Sequence, residues 1–139
     1  MKGYKFIKPF TIEEKDILET VLNDASSKVK INKALVTLAD VLRYRGDLEC
    51  DQIVLGGSGI GVVSETDTNL FDLEKGKRVY VDPTKFCDEC YYCKSGDTSK
   101  CVNFLVAGES YDGFLRDFIS SPNEKLFTLP TIVSDFDAL

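Results

Sequence analysis

The sequence predicts a mainly β domain, built as a partly open barrel or a sandwich with short helices. Short β-favouring segments recur at close spacing, and glycine-containing turns separate them. No sustained alternation of strands with long helices indicates a parallel sheet. The chain has 139 residues, 43% of them hydrophobic, which suits one domain of ordinary size. We therefore expect residues 1–139 to form a single unit.

The N-terminal segment predicts a hairpin or two edge strands. Apolar clusters at residues 4–7 and 10–12 lie on either side of Pro9, and a charged run follows them. Residues 17–22 are compatible with either a helical turn or a strand, and we leave their type open. Further on, Val29 and Ile31 alternate with lysines. This period of two predicts a half-buried strand.

Residues 38–44 predict a short helix that ends at Gly46. Helical spacing divides its side chains into an apolar and a polar face. The apolar face carries Leu38, Val41 and Leu42, and the polar face carries Asp40, Arg43 and Arg45.

Three further segments predict strands, at residues 78–81, 113–119 and 125–129. The apolar residues 53–55 lead into a glycine-rich segment, 56–61, which we interpret as a turn of the barrel. These glycines do not indicate a phosphate-binding loop, because their spacing matches neither nucleotide fingerprint and no long helix follows.

The charge and hydropathy of the chain argue against nucleic acid and membranes as partners. A net charge of −6 and a pI near 4.7 disfavour binding to the phosphates of nucleic acid. No apolar run approaches the roughly 20 residues needed to span a bilayer, and the N-terminus is unlike a signal peptide. The chain has no histidine, the usual general base near neutral pH. We expect a cytoplasmic protein that binds neither nucleic acid nor membrane.

Four cysteines form the strongest motif in the chain. Cys87, Cys90, Cys93 and Cys101 follow the spacing C-x2-C-x2-C-x7-C, which can wrap four thiolates around one tetrahedral ion. Zinc suits such a site best, and four protein ligands leave no open position for catalysis. We predict one structural zinc ion in a lobe at about residues 84–104.

Alternatives for these cysteines are an iron or iron-sulfur site, disulfide bonds and free thiols. Crowding of the four within a short segment disfavours a disulfide framework and favours a reducing compartment. The fifth cysteine, Cys50, lies between two acidic residues far from the motif. We interpret it as inert.

With these cysteines in place, the sequence resembles the zinc-containing medium-chain alcohol dehydrogenase/reductase family over nearly its whole length. That family's N-terminal catalytic domain is a GroES-like barrel with a four-cysteine lobe, so the resemblance implies a GroES-like partly open barrel here. Further matches are Gly76-Lys77-Arg78-Val79 to G-D-R-V, residues 112–118 to G-G-F-A-E-Y, and Leu129-Pro130 to L-P.

The resemblance also implies that the catalytic metal ligands are missing. Residues 37–40 fall where the family has C-G-T-D, and residues 56–58 fall where it has G-H-E. Thr37 would replace the first ligand and Gly57 the second, and the third would lie beyond the equivalent of Leu139. Only Asp40 and Gly56 keep the family's residue. In the enzymes of that family, this zinc ion acts as a Lewis acid that polarises an alcohol or carbonyl oxygen.

Three functions compete at this point. The first is a zinc-binding, non-catalytic subunit or binding module. The second is half of an oxidoreductase whose NAD(P)-binding Rossmann domain, with G-x-G-x-x-G, is supplied by another chain or has been cut away from this sequence. The third is an electron carrier with iron in the thiolate site. Partners would be a Rossmann-type chain or a second copy, bound at an apolar surface around Phe114, Phe118 and Phe127.

Four polar residues remain as candidates for a role in chemistry. Each has a simpler interpretation as a turn or capping residue, and we assign no catalytic residue. They are Thr37, Asp40, Ser58 and Asp112.

Overall fold

The computed structural model describes residues 1–18, 25–49, 51–66 and 72–139. This part of the chain is mainly β, as predicted, and none of its helices is long and apolar enough to cross a membrane. The elements are β1 (Lys2–Lys8), β2 (Thr11–Asp16), β3 (Ser26–Leu35), α1 (Leu38–Arg45), β4 (Ser58–Glu65), β5 (Arg78–Val81), β6 (Thr84–Lys85), α2 (Tyr91–Lys94), β7 (Leu105–Val106), β8 (Phe118–Pro122) and β9 (Leu126–Thr128), with single 3₁₀ turns at Thr98–Lys100 and Asn123–Lys125.

A five-stranded antiparallel sheet in the order β8-β3-β4-β5-β9 curls into a half-barrel. Its registers place Val29 of β3 opposite Val63 of β4 and Ile119 of β8. Alternate side chains point to one face of a strand, so these apolar residues share the concave side. The buried core consists of Val29, Val63, Leu73, Val79, Val81, Ala107, Phe114, Ile119 and Leu126.

The predicted N-terminal hairpin is confirmed: β1 and β2 pair antiparallel, from Lys2 with Asp16 to Lys8 with Thr11. Isolated bridges from β1 to Val54 and Arg116 attach it to the rest of the domain. Of residues 17–22, whose type the sequence left open, only Ile17 and Leu18 are described, and they form no regular element.

Helix α1 forms where it was predicted and ends at Gly46, which adopts the left-handed conformation with φ 85°. The polar face of this helix is the one that packs inward. The buried side chains are Asp40 and Arg43, whereas Leu38 is 73% exposed. The reason is that both buried charges have partners: Asp40 accepts backbone hydrogen bonds, and Arg43 lies 3.4 Å from Glu109. Paired polar groups outweigh the helical hydrophobic pattern here.

The glycine-rich segment 56–61 is a turn only at its start. Strand β4 begins at Ser58 and includes Gly59 and Gly61, so the prediction of a turn throughout was wrong. A Cβ atom on Gly59 would lie 2.5 Å from the Phe114 ring, which explains the need for glycine inside this strand.

The strand predicted for residues 113–119 is also shorter than expected, because regular pairing begins only at Phe118. Before that point, the backbone N–H groups of residues 113–115 donate to carbonyl oxygens of residues 54–56 outside the main sheet. These hydrogen bonds hold residues 113–115 against residues 54–56, just before β4. The strands predicted at residues 78–81 and 125–129 are confirmed as β5 and β9.

Candidate metal centre and altered ligand positions

The four cysteines of the predicted motif meet in space. Their Sγ atoms all lie within 4.8 Å of one another, with Cys87 Sγ at 3.5 Å from Cys101 Sγ and 3.9 Å from Cys93 Sγ. A tetrahedral zinc ion with Zn–S distances of about 2.3 Å requires sulfur atoms roughly 3.8 Å apart. The donor set and its spacing therefore fit a thiolate-bound metal, and none of these four cysteines forms a disulfide bond.

Local backbone structure positions these thiols. Cys90 is the N-cap of α2, and its Sγ accepts a hydrogen bond from the backbone N–H of Cys93 at 3.5 Å. The N–H of Cys87 donates to Cys101 Sγ at the same distance. N–H groups directed at sulfur favour the thiolate that a metal requires.

The thiols differ in acidity because their backbone hydrogen bonds and their burial differ. Hydrogen bonds from the backbone of Cys93 and Val102 lower the pKa of Cys90 to about 6. Burial, followed by the neighbouring thiols, raises the pKa of Cys93 to about 12. Four adjacent thiolates repel one another, so their simultaneous deprotonation requires a cation between them.

Little else holds this segment, which we call the cysteine lobe (residues 84–104). It contains a four-residue helix, a two-residue strand and one 3₁₀ turn. Its buried hydrophobic residue is Cys101 itself, and its aromatic side chains Tyr91 and Phe104 are exposed. So small a core supplies little folding free energy, which is typical of segments that a bound metal stabilises.

Positions 37 and 57, where the resemblance places the first two catalytic ligands, form a hydrogen-bonded corner instead. Thr37 is the N-cap of α1, and its Oγ accepts from the N–H of Asp40 at 3.2 Å. The Asp40 carboxylate accepts from the N–H and hydroxyl of Thr37 at 2.7 and 2.8 Å, and from the N–H of Gly56 at 3.2 Å. The capping role predicted for these two residues is confirmed.

Gly57 lies against Thr37, and we call Thr37, Asp40, Gly56 and Gly57 the Thr37 corner. A Cβ atom on Gly57 would lie 2.5 Å from the Thr37 methyl carbon, which is closer than van der Waals contact allows. The corner offers one hydroxyl, and its single carboxylate is engaged by three donors. A catalytic zinc ion does not fit these residues, since it needs three protein ligands and an open position. Among the described residues, the four cysteines form the one metal-ligating cluster.

The remaining candidates fall in separate places. Asp112 makes a long-range contact instead of the predicted turn or cap, because its Oδ1 accepts from the N–H of Val54 at 2.9 Å. The hydroxyl of Ser58 is buried and has no hydrogen-bond partner among the described residues. Cys50 lies outside the described residues.

The apolar surface predicted around three phenylalanines is only partly present. Phe114 is 1% exposed and belongs to the core, which corrects the prediction, while Phe118 is half-buried and Phe127 is exposed. Phe114 is buried because its ring packs on Gly59 of β4. Other large apolar side chains are more exposed than these, among them Leu38 of α1 and, in the C-terminal segment, Ile132 and Phe136. Helical spacing assigned Leu38 to the apolar face of α1, but only the tertiary structure shows that this side chain stays exposed.

Comparison with known proteins places these features in a family. Residues 23–131 match the model of the alcohol dehydrogenase GroES-like domain. The chain is 29% identical over 126 residues to a zinc-type alcohol dehydrogenase-like protein of Haemophilus influenzae, covering 88% of this chain and 37% of that protein. It is 28% identical over 139 residues to the starvation-sensing protein RspB of Escherichia coli, covering 97% of this chain and 40% of that protein.

Solved structures give the same result. Galactitol-1-phosphate dehydrogenase from Escherichia coli superposes with a TM-score of 0.82 at 22% identity, over 99% of this chain and 40% of the other, and shares the fold. An Escherichia coli alcohol dehydrogenase (rspB) complexed with NADH has a TM-score of 0.79 at 28% identity, over 97% and 40% of the two chains. The chain thus spans about two fifths of the length of these relatives, and it belongs to the alcohol dehydrogenase GroES-like domain family.

Proposed function

We propose that this chain is a zinc-stabilised GroES-like domain that acts as a non-catalytic subunit or binding module. One observation carries the proposal: at the Thr37 corner, a methyl group lies where a side chain on Gly57 would begin. No imidazole or thiolate replaces the missing ligands there. Without Lewis-acid chemistry at this position, the domain contributes binding surface and positioning.

The cysteine lobe would hold the metal. Cys87, Cys90, Cys93 and Cys101 would bind one zinc ion, which supplies folding free energy to the lobe. Zinc is favoured over iron by the zinc-type relatives in the family. A zinc-bound protein is colourless, whereas bound iron would give visible absorption bands.

Metal content tests both the zinc ion proposed for the cysteine lobe and the proposed lack of a catalytic zinc ion at the Thr37 corner. We expect about one zinc ion per chain by native mass spectrometry, and its loss in the Cys101→Ser variant. Thr37→Val is the matched control, because it keeps the methyl shape and removes the oxygen, and its zinc content should equal that of the wild type. A second zinc ion that disappears in Thr37→Val would contradict the absence of a catalytic metal.

A second candidate is the substrate-side domain of an NAD(P)-dependent oxidoreductase that works without catalytic zinc. It is favoured by the length of the relatives, of which this chain covers 37–40%, and by the NADH bound to one solved relative. The nucleotide would then bind a Rossmann domain outside residues 1–139. A chain carrying such a domain, or a second copy of this one, is the partner that we propose.

Cofactor binding separates the two candidates. Isolated from its own source, the protein should be examined by native mass spectrometry for associated chains and by NADH and NADPH fluorescence for cofactor binding. The module predicts no cofactor binding and an unchanged melting temperature. The oxidoreductase predicts a nucleotide-binding partner and saturable quenching of the cofactor fluorescence. A reducing, cytoplasmic environment is part of both proposals, because the metal requires reduced thiols.

A further inference from the structure

A cavity of about 550 Å³ lies between the start of the cysteine lobe and the edge strand β8. It is separate from the Thr37 corner and from the sulfur cluster, none of whose residues line it. Its apolar wall includes Phe86, Phe114 and Ile119. A cavity of this size accommodates a small organic molecule.

Arg116 lines this cavity without the partner that a buried cation normally has. Its Nε atom is buried and has no hydrogen-bond partner among the described residues. Its Nη2 atom contacts the carbonyl oxygen of Asp112 at 3.4 Å, which is a long hydrogen bond. Burial lowers the pKa of the guanidinium, and the nearby carboxylate of Asp112 only partly offsets this effect. A desolvated cation of this kind is stabilised by an anion.

A second cation lies at the same opening. The Nζ atom of Lys85 stands 4.0 Å above the Tyr111 ring, and neither Lys85 nor Arg116 belongs to any ion pair formed among the described residues. The third cation of the wall, Lys125, is already neutralised by Asp82 at 3.0 Å. Two positive charges are therefore available to a ligand.

The other charges of the wall limit which anion fits. Four carboxylates line the cavity together with the three cations, so a dianion such as phosphate would be repelled about twice as strongly as a monoanion. A single carboxylate matches the planar fork of the guanidinium and adds one negative charge only. The apolar wall requires that the rest of the ligand be apolar. The carboxylates are Asp82, Asp88, Asp112 and Glu124.

We propose that this cavity binds a small monocarboxylate with an apolar or aromatic body. Its carboxylate pairs with Arg116 and Lys85, and its body lies against Phe86 and Ile119. The site does not depend on the proposed function, because it requires neither zinc catalysis nor a nicotinamide cofactor.

The test is a titration of the zinc-loaded chain with benzoate, followed by two-dimensional ¹H–¹⁵N NMR. We expect saturable shifts at residues 111–116 and 119–121 and at the Nε–H signal of Arg116. Benzamide, the neutral isostere, and the Arg116→Gln variant should each weaken binding by about tenfold or more, since an ionic hydrogen bond is lost. Arg45→Gln, an exposed arginine away from the cavity, is the matched control and should bind like the wild type.

Lys85→Glu keeps the test decisive if Arg116→Gln does not fold, because Lys85 is exposed and its replacement disturbs no core contact. This charge reversal should also weaken benzoate binding by about tenfold. The proposal is overturned if benzoate does not bind, if benzamide binds equally well, or if neither variant changes the affinity. Tighter binding of inorganic phosphate than of benzoate would also overturn it.

Discussion

The cysteine lobe and the Thr37 corner are held together in different ways. In the lobe, short elements surround four sulfur atoms, and almost no apolar side chain is buried. In the corner, a capping box and a buried carboxylate join α1 to Gly56. The corner lies against the covered start of β4, where Phe114 packs on Gly59.

Under the proposed function, this difference explains how one metal site is kept while another is absent. A lobe without a core has nothing to replace a metal, so all four ligands must be retained for it to fold. A corner held by hydrogen bonds and packing keeps its structure when ligand residues are exchanged for a threonine and a glycine. Structural and catalytic metal positions in one domain are thus under independent physical constraints.

Loss of the lobe's metal should give the largest effect. We expect chelation of zinc, or Cys101→Ser, to lower the melting temperature by about 10 °C or more and to broaden the NMR signals of residues 84–104. Cys50→Ser is the matched control, since Cys50 lies outside the four-cysteine pattern. Unchanged melting after complete removal of the metal would show that the lobe folds without it.

Asp40→Asn tests how much the buried carboxylate stabilises the Thr37 corner. The amide cannot accept from all three donors, so we expect the free energy of unfolding to fall by about 2 kcal/mol in urea denaturation. Zinc content should stay constant, because Asp40 does not belong to the sulfur cluster. Asp47→Asn changes an exposed carboxylate just after α1 and should have little effect. Equal stability of the two variants would remove the carboxylate as the link between α1 and Gly56.

Gly57→Ala measures how tightly the corner is packed. The added Cβ meets the Thr37 methyl group, so we expect a loss of about 1–2 kcal/mol. Thr37→Ser removes that methyl group and keeps the capping oxygen. A double-mutant cycle should therefore show a favourable coupling of about 1 kcal/mol between the two substitutions. Simple additivity would mean that the methyl group does not restrict position 57.

The smallest expected effect is on the pH dependence of stability, through Asp82 just before the cysteine lobe. Burial opposes ionisation of Asp82, but hydrogen bonds from Thr84 and Lys125 outweigh it and lower the pKa of its carboxyl below the ordinary 3.8. The resulting stabilisation is present above pH 3.8 and is lost as the pH falls through the lower folded-state pKa.

We therefore expect melting temperature to depend less on pH below about pH 4 in Asp82→Asn than in the wild type. Asp16→Asn, on the exposed hairpin, provides the control and should retain the wild-type profile. An identical acid profile in Asp82→Asn would exclude this carboxyl as a source of the pH dependence.

Local patterns made several features predictable. The cysteine spacing placed four ligands within reach of one ion, and capping chemistry located the helix start at Thr37 and Asp40. These features depend on residues close in sequence or on one dominant chemical preference. The strand at residues 113–119 was predicted too long, because its alternation resembles a strand while its hydrogen bonds go to residues 54–56.

The sequence by itself determined the β class, the cysteine cluster and the absence of cysteine or histidine at positions 37 and 57, since each follows from residue identity and spacing. Only the tertiary structure decided which face of α1 is buried, that Phe114 belongs to the core, and that Arg116 lines a cavity beside Lys85. Those outcomes depend on partners distant in the chain. Burial of a charge is favourable only where folding brings its hydrogen-bond or ionic partner to it, and no local pattern contains that information.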